Sequence, residues 1–444
     1  MFRNPVIRAA GLALALATVD GYAQQAPEVH AVGSTFREEP APLHQILQHA
    51  MKYAPAVVLG RAGIEAGKAE IGAASPVLPS DPVISASVGR RETSSGTGID
   101  YSIGLQQELD LAGKRAEQLR AARLELSARQ AEMLASQWLV HQQVHDTYHQ
   151  ALVARDRAEA ARRVLAFAER LVEVSQRRLA AGETSPLPVR LAEAELAQAR
   201  QGVLLAESEY DRIRLELARV AGWTKPTLLT PIGRLEAPTR LPPAEVLIRR
   251  ARSEQPALRA ARARLSAAQA RLSAAKRRGW PNPTLGVLYE NEAEPGTDPA
   301  RVISGTISVP IPLWVGSTPE RARARAGIAQ AEGRHVALTT SLEAQIIQAR
   351  QRVEANANSA RVYGTEILPT LERNLALLQK AFELGEIDIH QVMVAQERFL
   401  KTQQDALQAF ADYYDAWAEL EATVGGELHG LHRADSSEHE SSDH

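Results

Sequence analysis

Apolar positions along this chain follow two different periods. Ala154, Ala158, Ala161, Leu165, Ala168 and Val172 recur at alternating spacings of four and three. That is the a/d seam of helices that pack as coiled coils. From Lys114 to Ala181 the chain has neither proline nor glycine, which predicts one unbroken helix about 100 Å long at about 1.5 Å per residue. It ends at Gly182-Glu183-Thr184-Ser185-Pro186-Leu187-Pro188, where glycine stops one helix and Ser/Pro chemistry starts the next, returning to Val220. A second seam runs through Leu342, Ile346, Ala349, Val353, Asn356, Ala360, Tyr363 and Ile367, and Pro369 then predicts a kink or break. Hairpins this long exceed a compact core and must project.

The other period is two. It appears in Ile84/Ala86/Val88, Tyr101/Ile103/Leu105, Leu285/Val287/Tyr289 and Ile303/Gly305/Ile307/Val309, and predicts strands over 83–92, 100–109, 284–291 and 301–309. The first pair is joined by Thr93-Ser94-Ser95-Gly96-Thr97-Gly98 and the second through Pro295-Gly296-Thr297-Asp298-Pro299. A helix precedes each pair, over 43–74 and 244–278, with a proline-rich break between. The order repeats in register: Pro55 with Pro256 and Asp81-Pro82 with Asn282-Pro283 at offset 201, Leu109 with Ile311 at 202, Gly182-Glu183 with Gly385-Glu386 at 203. A period this long means a duplicated, domain-sized unit rather than a solenoid. The repeats span 43–222 and 244–426, with a proline-rich link over 223–243, an extended segment over 24–42 and a polar tail over 427–444.

The strands have the length of membrane-crossing β-strands. Lipid leaves no strand edge unpaired, so such a sheet must close. The smallest membrane barrels have eight strands, so four cannot close alone. Two chains would give eight strands with a filled interior, and three would give twelve with room for a conduit. The alternative is a pair of soluble β-hairpins capping a coiled coil.

Composition narrows the class. The chain has 444 residues, 45% hydrophobic but only 5% aromatic, as expected of alanine- and leucine-rich helical bundles. The formal net charge of −2 offers no nucleic-acid surface. Cysteine is absent, which excludes disulfides, thiolate metal sites and a lipidated cysteine. Arg3 and Arg8, the run from Ala9 to Ala17 and Gly21-Tyr22-Ala23 read as a secretory signal over 1–23. No other apolar run reaches the length of a membrane helix.

The chain resembles the TolC-like outer-membrane factors, and within them the heavy-metal-efflux branch. The resemblance lies in Asp81-Pro82 and Asn282-Pro283 at the strand entries and in Gln107-Glu108-Leu109-Asp110-Leu111-Ala112-Gly113-Lys114-Arg115 at the strand exit. It extends to the tips, Arg178-Leu179-Ala180-Ala181-Gly182 and Ala381-Phe382-Glu383-Leu384-Gly385, and to Val309-Pro310-Ile311-Pro312-Leu313-Trp314 and Ile367-Leu368-Pro369. It implies a mainly α fold with a small β part: a duplicated unit of long coiled-coil hairpin plus β-hairpin, four strands per chain entering a shared twelve-stranded trimeric barrel. It implies a homotrimer in outer-membrane lipid with a helical tunnel in the periplasm. The implied partners are a periplasmic adaptor and an inner-membrane RND-type pump. Relatives place inward carboxylates just past the second tip glycine. Here Gln391 and Val394 stand about there, so Glu386, Asp388 and His390 are the candidate gate.

No phosphate loop and no nucleophile–base spacing suggests an enzyme, and no cofactor motif is present. At the tips, Leu179, Ala181, Gly182, Leu384, Gly385 and Ile387 are apolar or bare where a solvated turn is polar, which makes them candidate adaptor contacts. His141, His145 and His149 share one helix face at the i, i+4 spacing that can bind a divalent metal, though a polar packing face fits as well. His429, His432, His439 and His444 lie in a tail too polar to fold, of a kind that collects transition metals. Two function classes follow: an outer-membrane exit duct, carrying metal cations or else organic compounds or secreted protein, and a periplasmic coiled-coil adaptor. An adaptor needs one hairpin, whereas this chain has two.

Overall fold

The computed structural model describes residues 37–428 except 95, 236–240, 294–297 and 312–317. The expected signal over 1–23 lies outside the described residues. The first repeat contains β1 (Arg37–Ala41), α1 (Leu43–Tyr53), α2 (Pro55–Ala74), β2 (Val83–Thr93), β3 (Gly96–Glu108), α3 (Lys114–Ala180) and α4 (Pro186–Ala221). After β4 (Thr227–Pro231) the second repeat follows as α5 (Ala244–Glu254), α6 (Pro256–Arg278), β5 (Thr284–Glu292), β6 (Ala300–Ser308), α7 (Thr318–Val362), α8 (Leu368–Glu383) and α9 (Ile389–Val424). The long helix is 67 residues without a break. Asp110 caps it, accepting from the Lys114 and Arg115 backbone N–H groups at 3.0 and 2.7 Å, which gives the strand-exit motif a physical role.

The expected single helices over 43–74 and 244–278 are each two. Proline rejects αR at the residue before it and suits the first helical position. Ala54 (ψ 139°) and Gln255 (ψ 115°) are accordingly extended, and Pro55 and Pro256 start new helices. Each elbow receives a glycine that ends a return helix with positive φ: Gly222 at 85° and Gly425 at 84°. A Cβ on Gly222 would run into the Tyr53 carbonyl, and one on Gly425 would lie 2.7 Å from the Gln255 Cα. One joint is thus built twice, and close backbone approach requires glycine in both copies.

Helices α2, α3, α6 and α7 lie side by side in that order and carry the sheet. Strand order is β2-β3-β5-β6, antiparallel throughout. The two hairpins therefore form one sheet through β3–β5 rather than separate caps. One core packs Ile46, Val144, Leu152, Leu217 and Leu229 of the first repeat. Its counterpart packs Leu247, Ile346, Val353, Trp417 and Leu420. Of the first seam, Ala154, Ala158 and Ala168 are buried, as are Val164, Phe167 and Leu171 beside them. The buried stripe is wider than a/d because α3 packs on both α4 and α9. In the second seam Asn356 is half-buried and donates to the Asp412 carbonyl at 2.9 Å.

The break expected at Pro369 is a π-helical turn, Tyr363–Ile367, leading into α8. Proline lacks an N–H and its ring crowds the carbonyl four residues back, so the ladder widens ahead of it. The first repeat has no such turn in α3. The segments expected as extended (24–42) and linking (223–243) are joined by structure: β1 and β4 pair in parallel, from Arg37↔Thr227 to Ala41↔Pro231. Buried Arg214 donates to Thr230 Oγ1 at 2.7 Å and lies 3.3 Å from Glu38. The fold also runs past 426. Leu428 is buried, its N–H donates to Glu421 Oε1 at 2.8 Å, and Arg250 holds the Glu427 carbonyl at 3.0 Å.

Candidate functional site

The sheet has two chemically distinct faces. Register places Ile84 opposite Leu105, Ala86 opposite Ile103, Ile103 opposite Tyr289, Leu105 opposite Val287, and Tyr289 opposite Ile303. These side chains share one face, on which Ile84 is 75% exposed and Ile303 76%, while Tyr289 is half-buried. The opposite face carries Ser85, Ser87, Ser102, Gln106, Ser304 and Thr306, with the Ser87 and Ser102 hydroxyls 2.9 Å apart. On that face Arg91 pairs with Asp100 at 2.8 Å and Glu292 at 3.3 Å. Towards the hairpin turns, Tyr101 and Tyr289 lie on the apolar face with ring centroids 6.3 Å apart. Exposed Trp280 stands near the opposite end, ahead of β5. An apolar band bordered by aromatics, backed by a polar face, is the chemistry of a lipid-facing barrel wall. Among the described residues, the outer edges of β2 and β6 have no strand partner.

At the far end, both tips use one design. Gly182 (φ 75°) donates to the Leu179 carbonyl, and Glu183 donates to Arg178. Gly385 (φ 76°) donates to Phe382, and Glu386 to Ala381, so both are Schellman turns. The tips meet: Phe167 and Leu171 of α3, Ala192 of α4, Phe382 of α8, and Ile389 and Val392 of α9 form one small core. Arg178 sits over the Phe382 ring at 5.9 Å. Of the expected contact residues, Ala181, Gly182, Gly385 and Leu384 are exposed, the last at 65%. Leu179 is half-buried, and Ile387 packs against the tip core. Among the candidate gate residues, Glu386 and His390 are exposed, whereas Asp388 is the N-cap of α9. Its Oδ1 accepts from the Gln391 N–H at 2.8 Å and Gln391 reciprocates at 3.1 Å, a capping box.

The histidine face becomes a column of rings rather than a metal site. Trp138, His141, His145 and His149 follow one another at centroid distances of 4.7, 4.7 and 5.8 Å, and His149 stacks on Tyr414 at 4.0 Å. His141 Nε2 is 2.9 Å from Glu427 Oε1, and His149 Nδ1 donates to the His145 carbonyl at 2.8 Å. His141 and His149 thus each engage a ring nitrogen in a packing hydrogen bond. No group of three His, Cys, Asp or Glu among the described residues is arranged to hold a metal. Burial, with the His141 charge next, pushes His145 down to about 4. His429, His432, His439 and His444 lie outside the described residues. Sequence reasoning missed the acidic pair across α3 and α9, where burial and the neighbouring Asp146 carboxyl push Asp415 up to about 7. They lie 269 positions apart, which hides that pairing from any local pattern.

Two stretches of the chain, 46–223 and 247–426, match the family model described as outer membrane efflux protein. The chain belongs to the outer membrane efflux protein family. The two matches coincide with the two structural repeats, each carrying one strand pair and one long hairpin. This is a family of transport channels, not enzymes. Among curated proteins, the chain is 23% identical over 318 residues to the cobalt-zinc-cadmium resistance protein CzcC of Cupriavidus metallidurans, covering 71% of this chain and 75% of that one. Its fold is similar to that of a membrane protein from Pseudomonas aeruginosa, with TM-score 0.69, 18% identity and coverage of 88% and 92%. It is similar also to the CmeC outer membrane channel of Campylobacter jejuni, with TM-score 0.66, 15% identity and 89% coverage of each chain.

Proposed function

We propose that this outer membrane efflux protein is a homotrimer in the outer membrane and the passive exit duct of a tripartite efflux system. The carrying observation is the four-stranded sheet with one apolar face, one polar face and, among the described residues, two open edges. Unpaired edges are untenable in lipid. Three copies supply twelve strands, enough to close around a conduit. Divalent metal cations are the proposed cargo, supported by the likeness to CzcC. They arrive from an inner-membrane RND-type pump through a periplasmic adaptor that docks on Leu179, Ala181, Gly182, Leu384 and Gly385. Glu386, Asp388 and His390 stand at the entrance, Asp388 with its carboxylate already committed to a cap. The tail histidines His429, His432, His439 and His444 gather metal.

The test is metal tolerance in cells lacking the native protein. The parent gene restores growth on divalent transition-metal salts. Ile103→Arg puts a charge on the lipid face, at a cost of about 2–4 kcal/mol near the midplane, and abolishes both assembly and tolerance. Ser102→Arg, on the polar face, retains both. Equal outcomes for the two variants would contradict the barrel. Restored assembly without metal tolerance would contradict the cargo.

A further inference from the structure

We propose that the helical layer just below the sheet forms a basic collar inside the duct that favours passage of anions. The inference rests on the trimeric duct and concerns its selectivity. A cleft of about 810 Å³ is lined by all four adjacent helices α2, α3, α6 and α7. The cleft is shared by four side-by-side helices, and in the proposed duct it lies on the side of the layer that faces the lumen when three such layers close into a tube.

The charges on this wall are unequal. Arg264, Arg271, Arg278, Arg323 and Arg334 line it against Glu70, Glu125 and Glu320, an excess of two positive charges per chain. The acids are already engaged. Glu125 is 3% exposed and held by Arg264 at 2.5 Å and Arg271 at 2.8 Å. Glu320 pairs with Arg278 at 3.3 Å, and Glu70 with Arg129 at 2.6 Å. Among the described residues Arg323 and Arg334 have no ion pair, and both are exposed on α7. Three chains would present six such guanidinium groups around one passage.

A ring of arginines in a cleft with low-dielectric walls concentrates anions and repels cations. The sheet above has the opposite sign: its polar face carries Arg91 against Asp100, Glu108, Glu290 and Glu292. The lumen thus has an acidic outer zone and a basic collar in series. A divalent cation crosses the collar with its charge compensated by anions held there.

Single-channel recording of the full-length trimer in planar bilayers under a potassium chloride gradient tests this. Arg323→Glu with Arg334→Glu should lower the chloride-to-potassium permeability ratio severalfold and leave the trimer intact. The neutral pair Arg323→Gln with Arg334→Gln should move it in the same direction by less, and serves if the reversed pair does not assemble. Arg325→Glu, on α7 but outside the cleft lining, should leave the ratio unchanged. An unchanged ratio in the cleft variants, or an equal change from Arg325→Glu, overturns the collar. Absence of any conductance from the parent trimer overturns the duct reading beneath it.

Discussion

Asp415 and His145 sit where α9 packs on α3, and they couple folding to pH in opposite senses. Asp415 titrates at about 7 when folded, against an ordinary 3.8, because burial and the Asp146 carboxyl disfavour its charge. Asp412 adds to the repulsion and Gln150 opposes it. Between those two values the folded chain keeps a proton that the unfolded chain has released, so this contribution to stability falls as pH rises. His145 titrates at about 4 when folded, against 6.5, because of burial and the neighbouring His141 and His149, with Glu421 and Glu427 opposing. Its contribution is complete above 6.5 and is lost as pH falls towards 4. The two slopes offset one another over most of that range. Asp415→Asn should therefore melt above the parent at pH ~8 and converge with it in acid, whereas His145→Gln should gain on the parent only below pH ~6. Thermal melts of the detergent-solubilised protein at three pH values would show this. Parallel curves for the parent and both variants would contradict the assignment.

Among the elements, the two long hairpins differ in how they reach their tips. The first arrives as an unbroken helix and the second through the π-turn ahead of Pro369. They end in the same Schellman turn and share a core at the tip. Leu384 and Leu179 lie outside that core. Leu179→Glu with Leu384→Glu should leave oligomer and melting temperature nearly unchanged while abolishing crosslinking to the adaptor and efflux. Crosslinking and efflux at parental levels would remove the tips as the docking site. Long elements were readable from sequence because a seam sustained over many turns, or an alternation with turn residues at its ends, leaves few alternatives. The elbows at Ala54 and Gln255 were less readable. Pro55 and Pro256 were visible as repeat markers, but only tertiary packing shows that a distant glycine needs the bend. The β1–β4 pair was hidden by Pro40 and Pro231 at its ends, and Leu228 and Leu229 are too short a run to declare a strand. The histidine spacing was legible while its use was not, since Glu427, Tyr414 and the His145 carbonyl come from elsewhere in the fold or from the backbone.

For the molecule as a whole, one chain is an unfinished object. Its sheet has an exposed apolar face and two outer edges that no strand pairs among the described residues. Its four-helix layer has α2 at one side and α7 at the other, and α7 also packs on α9. Helices in the layer follow the order of the strands they carry, so copies that join β6 to β2 would bring α7 beside α2. The most direct test is native mass spectrometry of the protein extracted in detergent from isolated outer membranes. The account predicts a particle of three chains, recovered from the membrane fraction and dissociating to single chains on heating. A monomer, a dimer or a species recovered from the soluble periplasmic fraction would contradict it.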